Sequence, residues 1–137
     1  MSYQLFYSDR SAAQGVRLIL EELDQDYELI ETDIKSQGPR PPELLAVNPN
    51  GLVPVLIYEE GPIYECGAIV TFLCDRHSEY GLAPGVGDRY RGLFLQWLFF
   101  FSSSLQNAFS MTYRANRFSA LDSGYPGIEQ QGRKRLM

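Results

Sequence analysis

Cysteine and histidine are scarce in this sequence, which contains only Cys66, Cys74 and His77. The two cysteines are eight positions apart, a spacing that fits neither a Cys-x-x-Cys redox pair nor a zinc site. A disulfide framework also needs more cysteines than this chain has. We therefore expect free thiols, a reducing cytoplasmic location and no metal.

Basic residues are outnumbered by acidic ones. Twelve Lys and Arg stand against seventeen Asp and Glu, which gives a formal net charge of -5. The one basic run is RKR at 133–135. Proteins that bind nucleic acid neutralise phosphates with clustered Lys and Arg, so we expect no nucleic-acid partner.

Long apolar runs are absent too. The most apolar stretch, LFLQWLFFF at 93–101, is short and is interrupted by Gln96, whereas a membrane-spanning helix needs about 20 apolar residues. The first ten residues lack the positive region and apolar run of a secretion signal. We expect no membrane partner.

Aromatic residues are plentiful, with nine Tyr and eight Phe in a chain that is 45% hydrophobic, and they predict a packed core. The segment YQLFY at 3–7 is typical of a strand, and YELIE at 27–31 is typical of a second one. Between them, apolar residues recur at helical spacing at Val16, Ile19, Leu20 and Leu23. The order strand, helix, strand predicts a parallel, right-handed unit. Ser11 and Gln14 match a capping box at the start of this helix.

A second group of elements follows the segment GPRPP at 38–42. Residues 42–47 predict a short helix, and VLIYEEGPIY at 55–64 predicts two antiparallel strands around a Glu-Gly-Pro turn. Residues 65–77 then predict a helix. This order predicts an α/β domain over residues 1–79, with a mixed four-stranded sheet and helices on both sides. Residues 80–87, with three glycines and a proline, predict a linker.

Residues 88–137 predict a second, all-α domain. Asp88 is the expected N-cap of a long helix, and its predicted core stripe consists of Tyr90, Leu93, Phe94, Trp97, Leu98 and Phe101. Leu95, Phe99 and Phe100 extend the apolar surface around the helix, so we expect the first domain, later helices and a second subunit to cover it. After a break at 122–127, residues 128–137 predict the beginning of a further helix.

Two motifs resemble those of the glutathione transferase superfamily. The pattern N-P-x-G-x-V-P-x-L is matched at every fixed position of NPNGLVPVL at 48–56, and the pattern E-S-x-A-I is matched as ECGAI at 65–69, with Cys66 in place of serine. The resemblance, strongest to bacterial members, covers residues 3 to about 118. It implies a thioredoxin-like domain of βαβ-ββα order followed by an all-α domain that is truncated here.

The resemblance also implies a site for glutathione. Pro54 would follow a cis peptide bond, and the backbone of Val53 would pair with the cysteinyl unit of glutathione. Glu65 would accept from the substrate ammonium, while Cys66, at a helix start that favours anions, would hold the adjacent carboxylate. Arg40 and Gln37 would lie near the glycine carboxylate.

Catalysis in the family requires a group that lowers the pKa of the glutathione thiol, which is about 8.5 when unperturbed. The position of the catalytic tyrosine found in some classes falls on Phe6, which has no hydroxyl. Ser11, near the first helix, is the preferred candidate, with Tyr7 and Ser8 as alternatives.

The function implied is a homodimeric detoxification enzyme that conjugates the glutathione thiolate to a small apolar electrophile, with glutathione as co-substrate. The alternative is a non-catalytic binding or regulatory module similar to the stringent starvation proteins, which Phe6, Cys66 and Leu52 favour.

Overall fold

The computed structural model describes residues 2–36 and 38–137 and divides the chain into two compact units, Met1–Gly85 and Val86–Met137. The role predicted for Gln37 lies outside the described residues. The domain boundaries drawn from the sequence stay a prediction.

The first unit contains a mixed sheet of four strands in the order β2-β1-β3-β4. The strands are β1 (Tyr3–Tyr7), β2 (Tyr27–Glu31), β3 (Val55–Tyr58) and β4 (Gly61–Tyr64). Strand β1 pairs with β2 in parallel and with β3 in antiparallel, and β3 pairs with β4 in antiparallel. The predicted thioredoxin-like α/β fold class is confirmed.

Three helices cover this sheet: α1 (Ala13–Glu22), α2 (Pro42–Val47) and α3 (Cys66–Arg76). Because successive side chains of a strand point to opposite faces, Leu5 and Phe6 of β1 enter different cores. The core on the α1 and α3 side comprises Tyr3, Leu5, Val16, Leu20, Leu23, Leu56, Ile69 and Leu73. The core on the α2 side comprises Phe6, Ala13, Ile34, Leu44, Val53 and Val55. Helix α1 contributes to both cores, which fixes its first turn relative to the sheet.

The start of α1 differs from the predicted capping box. Ala12 occupies the N-cap position, and the amide of Gln14 donates to Asp9 at 3.4 Å instead of returning to Ser11. The Ser11 hydroxyl oxygen accepts from the N–H of Ala13 at 3.2 Å. The capping box is wrong because the helix begins later than the pattern requires, so Ser11 lies in the preceding turn.

The second unit consists of the helices α4 (Arg91–Phe99), α5 (Gln106–Tyr113) and α6 (Tyr125–Leu136). A π-helical segment, Phe100–Leu105, joins α4 to α5, so the predicted long helix is present but is locally underwound. Asp88 is not the N-cap: its carboxylate accepts from the N–H of Tyr90 at 2.7 Å, one residue before α4 begins. Helix α6 starts at Tyr125, three residues before the predicted start, because Pro126 suits the first turn of a helix.

The predicted core stripe of the long helix is not buried in this chain. Leu93, Trp97 and Phe101 are each about half exposed, and α4 has no buried residue. The buried residues of the unit lie instead on α5 and α6, at Ala108, Met111, Thr112 and Gly132, and just after α5 at Ala115. The prediction was wrong about burial because periodicity identifies an apolar face without identifying what covers it.

Within the described residues, no helix is long and apolar enough to cross a membrane.

Candidate active site

Asn48 organises the turn that precedes β3. Its side chain is buried, with 3% of the residue exposed, and makes two hydrogen bonds within the turn. Its Nδ2 donates to the carbonyl of Leu52 at 2.9 Å, and its Oδ1 accepts from the N–H of Asn50 at 3.1 Å. The carbonyl of Asn48 accepts from the N–H of Gly51 at 2.9 Å. One residue therefore determines the path of the chain into Val53.

Gly51 is required in this turn for two reasons. Its φ of 60° lies in the left-handed region, which favours glycine. A Cβ at this position would lie 2.7 Å from Cγ of Arg40. The methylene chain of Arg40 thus covers Gly51, and its Nη1 donates to the carbonyl of Ser36 at 3.3 Å. This contact brings Arg40 next to the NPNG turn.

The Val53–Pro54 peptide bond is cis, as the resemblance implied. The side chain of Val53 is buried in the core that contains Phe6 and Ala13. Among the described residues, no hydrogen bond uses the N–H or the C=O of Val53. A buried side chain therefore anchors a backbone unit with both polar groups available to a ligand.

The loop between β1 and α1 lies near this backbone unit. It begins after β1, where Phe6 pairs with Val55, and it leads to Ala13, which shares a core with Val53. Ser8 is buried, and its carbonyl accepts the hydroxyl proton of Ser11 at 2.6 Å. Within the described residues no hydrogen bond uses the hydroxyl of Ser8. Tyr7 is partly buried and packs against both cores of the first unit.

Glu65 immediately precedes α3 and has an unusual backbone conformation, with φ 74° and ψ 116°. A positive φ is unfavourable for a residue with a Cβ. The side chain is exposed and does not cap the helix, while the backbone carbonyl accepts from the N–H of Ile69 at 3.0 Å. The carboxylate of Glu65 thus makes no capping hydrogen bond to α3.

The thiol of Cys66 is turned towards α1. Its Sγ donates to the carbonyl of Ala12 at 3.7 Å, and a Cβ on Gly15 would lie 3.9 Å from the same sulfur. Burial, with a smaller contribution from the charge of Glu65, raises the pKa of the Cys66 thiol. The thiol is therefore protonated at neutral pH, and it joins the first turns of α1 and α3.

These contacts bring most of the residues predicted for the site to one place. Val53 shares a core with Ala13, and Cys66 bonds to Ala12, so the cis bond and the start of α3 both meet the first turn of α1. Ser8 and Ser11 lie in the loop that leads into that turn. Arg40 lies beside Gly51, on the approach to Val53. Arg10, which the sequence reasoning did not single out, lies in the same loop.

Two clefts lie elsewhere on the molecule. One of about 400 Å³ is lined by Phe100, Ser103, Ser104, Leu105, Asn107 and Arg135. The other, of about 360 Å³, is lined by Ser2, Gln4, Ile57, Tyr58 and Glu59. Neither includes a residue of the candidate site.

The sequence model of the family described as Glutathione S-transferase, N-terminal domain, matches residues 5–81, which is more than half of the chain. This range contains both motifs and every residue of the candidate site.

Two characterised relatives show how far the similarity extends. The disulfide-bond oxidoreductase YfcG of Escherichia coli is 31% identical over 103 residues, which cover 69% of this chain and 46% of YfcG. The protein URE2 of Kluyveromyces lactis is 41% identical over 80 residues, which cover 55% of this chain and 20% of URE2. The chain thus spans less than half the length of either relative.

A solved structure shows the same fold. The crystal structure of a glutathione transferase homolog from Sulfitobacter, with bound glutathione, has a TM-score of 0.86 and 20% identity, and the match covers 98% of this chain and 65% of that one. With the two motifs, the sheet order and the family match on residues 5–81, these similarities show that the chain belongs to the glutathione transferase superfamily.

Proposed function

We propose that this protein binds glutathione and transfers it, as the thiolate, to a small apolar electrophile. The observation that carries the proposal is the backbone of Val53, whose N–H and C=O have no hydrogen bond among the described residues. The side chain of Val53 shares a core with Ala13, at the start of α1. The glutathione bound in the Sulfitobacter homolog supports this choice of ligand.

The ligand contacts follow from the chemistry of its parts. The amide groups of the cysteinyl unit pair with the N–H and C=O of Val53, as in an added strand. The γ-glutamyl carboxylate accepts from the free N–H groups at the start of α3, and the exposed carboxylate of Glu65 accepts from the ammonium. The Cys66 thiol does not donate to the ligand, because its proton is donated to the carbonyl of Ala12; it contributes by joining the start of α3 to the start of α1. Arg40 is the cation available to the glycine carboxylate.

The reaction requires the thiol to lose its proton to solvent. The thiolate sulfur then donates an electron pair to an electrophilic carbon, forming the S–C bond, while the leaving group departs with the pair of the bond that breaks. A donor hydrogen bond to the sulfur favours the thiolate. We propose Ser8 for this donor ahead of Ser11, because Ser11 already donates to the carbonyl of Ser8. Tyr7 is a third candidate, and its ring packs against the cores of the unit.

The first experiment is a calorimetric titration of reduced glutathione into the chain, followed by turnover of chlorodinitrobenzene. We expect Ser8→Ala to lower kcat by on the order of tenfold or more while glutathione still binds. Ser11→Ala serves as the matched control and should change kcat less. A larger loss of kcat in Ser11→Ala than in Ser8→Ala would assign the donor role to Ser11. Small and equal losses of kcat in both variants would exclude both hydroxyls as the donor.

The second candidate function is a glutathione-binding module without catalysis. It is favoured by three observations in one loop and its surroundings: Phe6 has no hydroxyl, Ser11 has its proton engaged, and the thiol of Cys66 is bonded to Ala12. Three results together would favour this module: glutathione binds, the pKa of the glutathione thiol is unchanged on binding, and chlorodinitrobenzene is not turned over.

We further propose that the protein forms a homodimer through the aromatic face of α4 and the π-helical segment. Trp97, Phe99, Phe100 and Phe101 are each between 43% and 59% exposed, and exposed apolar patches of this kind mark association sites. Light scattering should give twice the chain mass, and Trp97→Glu should give a monomer. A monomeric unsubstituted chain would contradict the proposal.

A further inference from the structure

A hydroxyl donates one hydrogen bond to a thiolate, whereas a positive charge nearby stabilises the thiolate more strongly. Of the residues from Ser8 to Gly15, which lead from β1 through the first turn of α1, only Arg10 carries a positive charge. The first N–H groups of α1 are largely engaged: Ala13 donates to the Ser11 hydroxyl, Gln14 to the Ser11 carbonyl and Gly15 to the Ala12 carbonyl. Any cationic stabilisation from this loop must therefore come from Arg10.

Arg10 has a left-handed backbone, with φ 53°. This conformation is unfavourable for a residue with a Cβ, and such residues recur at functional sites. Arg10 precedes Ala12, whose carbonyl accepts from Cys66, by two residues, and it precedes Ala13, which shares a core with Val53, by three. The strained arginine therefore lies in the loop that meets both the cis bond and the start of α3.

The guanidinium of Arg10 is available to a ligand. Its side chain is 87% exposed, and its Nε lies 3.4 Å from Oδ2 of Asp9, whose side chain is 56% exposed. An ion pair this open to water contributes little to stability. Asp9 also accepts from the amide of Gln14. A second anion can therefore compete with Asp9 for Arg10 at little cost.

We propose that Arg10 is a catalytic residue that holds the glutathione thiolate through its guanidinium. This inference rests on the proposed function. When the thiol proton leaves to solvent, the negative charge on sulfur is balanced by Arg10. The sulfur then forms the S–C bond with chlorodinitrobenzene, and chloride leaves with the electrons of the C–Cl bond.

Two of the other charged groups around this position oppose a thiolate. Asp9 on the loop and Glu65 before α3 are negative, while Cys66 on α3 keeps its proton. Two cations are engaged elsewhere: Arg17 of α1 interacts with Tyr27, Glu21 and Tyr7, and Arg40 donates to the carbonyl of Ser36. Arg10 is thus the cation of the β1–α1 loop whose removal should be felt by a bound thiolate.

The test follows the ionisation of bound glutathione by its ultraviolet absorbance as pH is raised. We expect Arg10→Gln to raise the pKa of the bound thiol by about one unit and to lower kcat/KM for chlorodinitrobenzene at neutral pH by about tenfold. Arg10→Gly removes the same charge and relieves the left-handed backbone, so it should fold well and give the same shift. Arg10→Lys should retain most of the effect. Arg133→Gln, an equal change of charge at a residue that pairs with Glu129 in the second unit, should leave the thiol pKa unchanged.

A ligand without a thiol separates this assignment from the proposed function. S-methylglutathione should bind the unsubstituted chain and Arg10→Gln with the same affinity. Absence of binding of both ligands to the unsubstituted chain would overturn the proposed function together with the Arg10 assignment. Binding of both, with a thiol pKa that Arg10→Gln and Arg10→Gly leave unchanged, would overturn the Arg10 assignment alone.

Discussion

Replacement of Asn48 by alanine tests whether the NPNG turn positions the binding backbone. The substitution removes two hydrogen bonds from a side chain that is 3% exposed. Each such bond contributes about 0.5–1.5 kcal/mol net, so the free energy of unfolding should fall by about 1–3 kcal/mol. Asn50 and Leu52 are exposed, and water can satisfy their freed backbone groups, which favours the lower half of that range.

Two measurements check this prediction. Urea unfolding followed by circular dichroism should show a lower midpoint, and amide exchange should show loss of protection at the N–H of Asn50. Because the turn leads directly into Val53, glutathione affinity should also fall by on the order of tenfold, the equivalent of about 1.4 kcal/mol. Asn50→Ala is the matched control, since it changes an exposed side chain of the same turn and keeps the backbone bond. Equal effects of the two substitutions would refute the reasoning.

Three further predictions concern the packing of the second unit and two titrating groups. Gly132→Ala should lower the free energy of unfolding, measured by urea titration, by about 1–3 kcal/mol, because a Cβ there would lie 2.4 Å from Oγ1 of Thr112. The control is Gly127→Ala on the same helix. A Cβ at Gly127 meets nothing within 4 Å, so this substitution should not lower the free energy of unfolding. Two backbone N–H groups lower the pKa of Asp33, so its carboxylate stabilises the fold above the unfolded-state pKa and this contribution is lost as pH falls through the folded-state pKa. The difference in urea midpoint between Asp33→Asn and the unsubstituted chain should therefore be present at neutral pH and vanish in acid; a difference independent of pH would contradict this account. Burial raises the pKa of Cys66, so iodoacetamide should alkylate it more slowly than a free cysteine at neutral pH, with mass spectrometry as the readout, and a fast reaction would show that the thiol is exposed.

The first unit was predictable from the sequence because local signals agree with its tertiary contacts. The aromatic-rich segment YQLFY, the helical spacing from Val16 to Leu23 and the two strands predicted within residues 55–64 each specify an element, although the turn lies at Glu59 and Glu60 and Gly61 and Pro62 belong to β4. The order of elements then leaves few topologies. The sequence was less informative where burial depends on a partner. Trp97 lies on an apolar face as the periodicity indicates, but it contacts Phe100 and Phe101 of its own helical run and remains half exposed.

The binding part of the candidate site was more predictable than the activating part, and the reason is physical. Pro54, Gly51 and Asn48 restrict the backbone by residue type, so their pattern in the sequence encodes the geometry that exposes Val53. Activation of the glutathione thiol depends instead on which acceptor a nearby hydroxyl donates its proton to, and on where a positively charged side chain lies. The proton of Ser11 goes to the carbonyl of Ser8, and Arg10 adopts a left-handed backbone that its residue type does not favour.

Those two features share one cause, the tight turn between β1 and α1. Residues 8–11 must reverse the chain within a few residues, and they do so with a left-handed residue at Arg10 and a hydrogen bond from Ser11 back to Ser8. The turn that engages the hydroxyl of Ser11 also carries the guanidinium at its exposed tip. Under the proposed function, we expect the charge of Arg10 to stabilise the thiolate more than the hydroxyl of Ser11, whose proton is donated to the carbonyl of Ser8. Removal of the Arg10 charge should then cost more activity than removal of the Ser11 oxygen, and the ratio of the two losses is measurable with a single substrate.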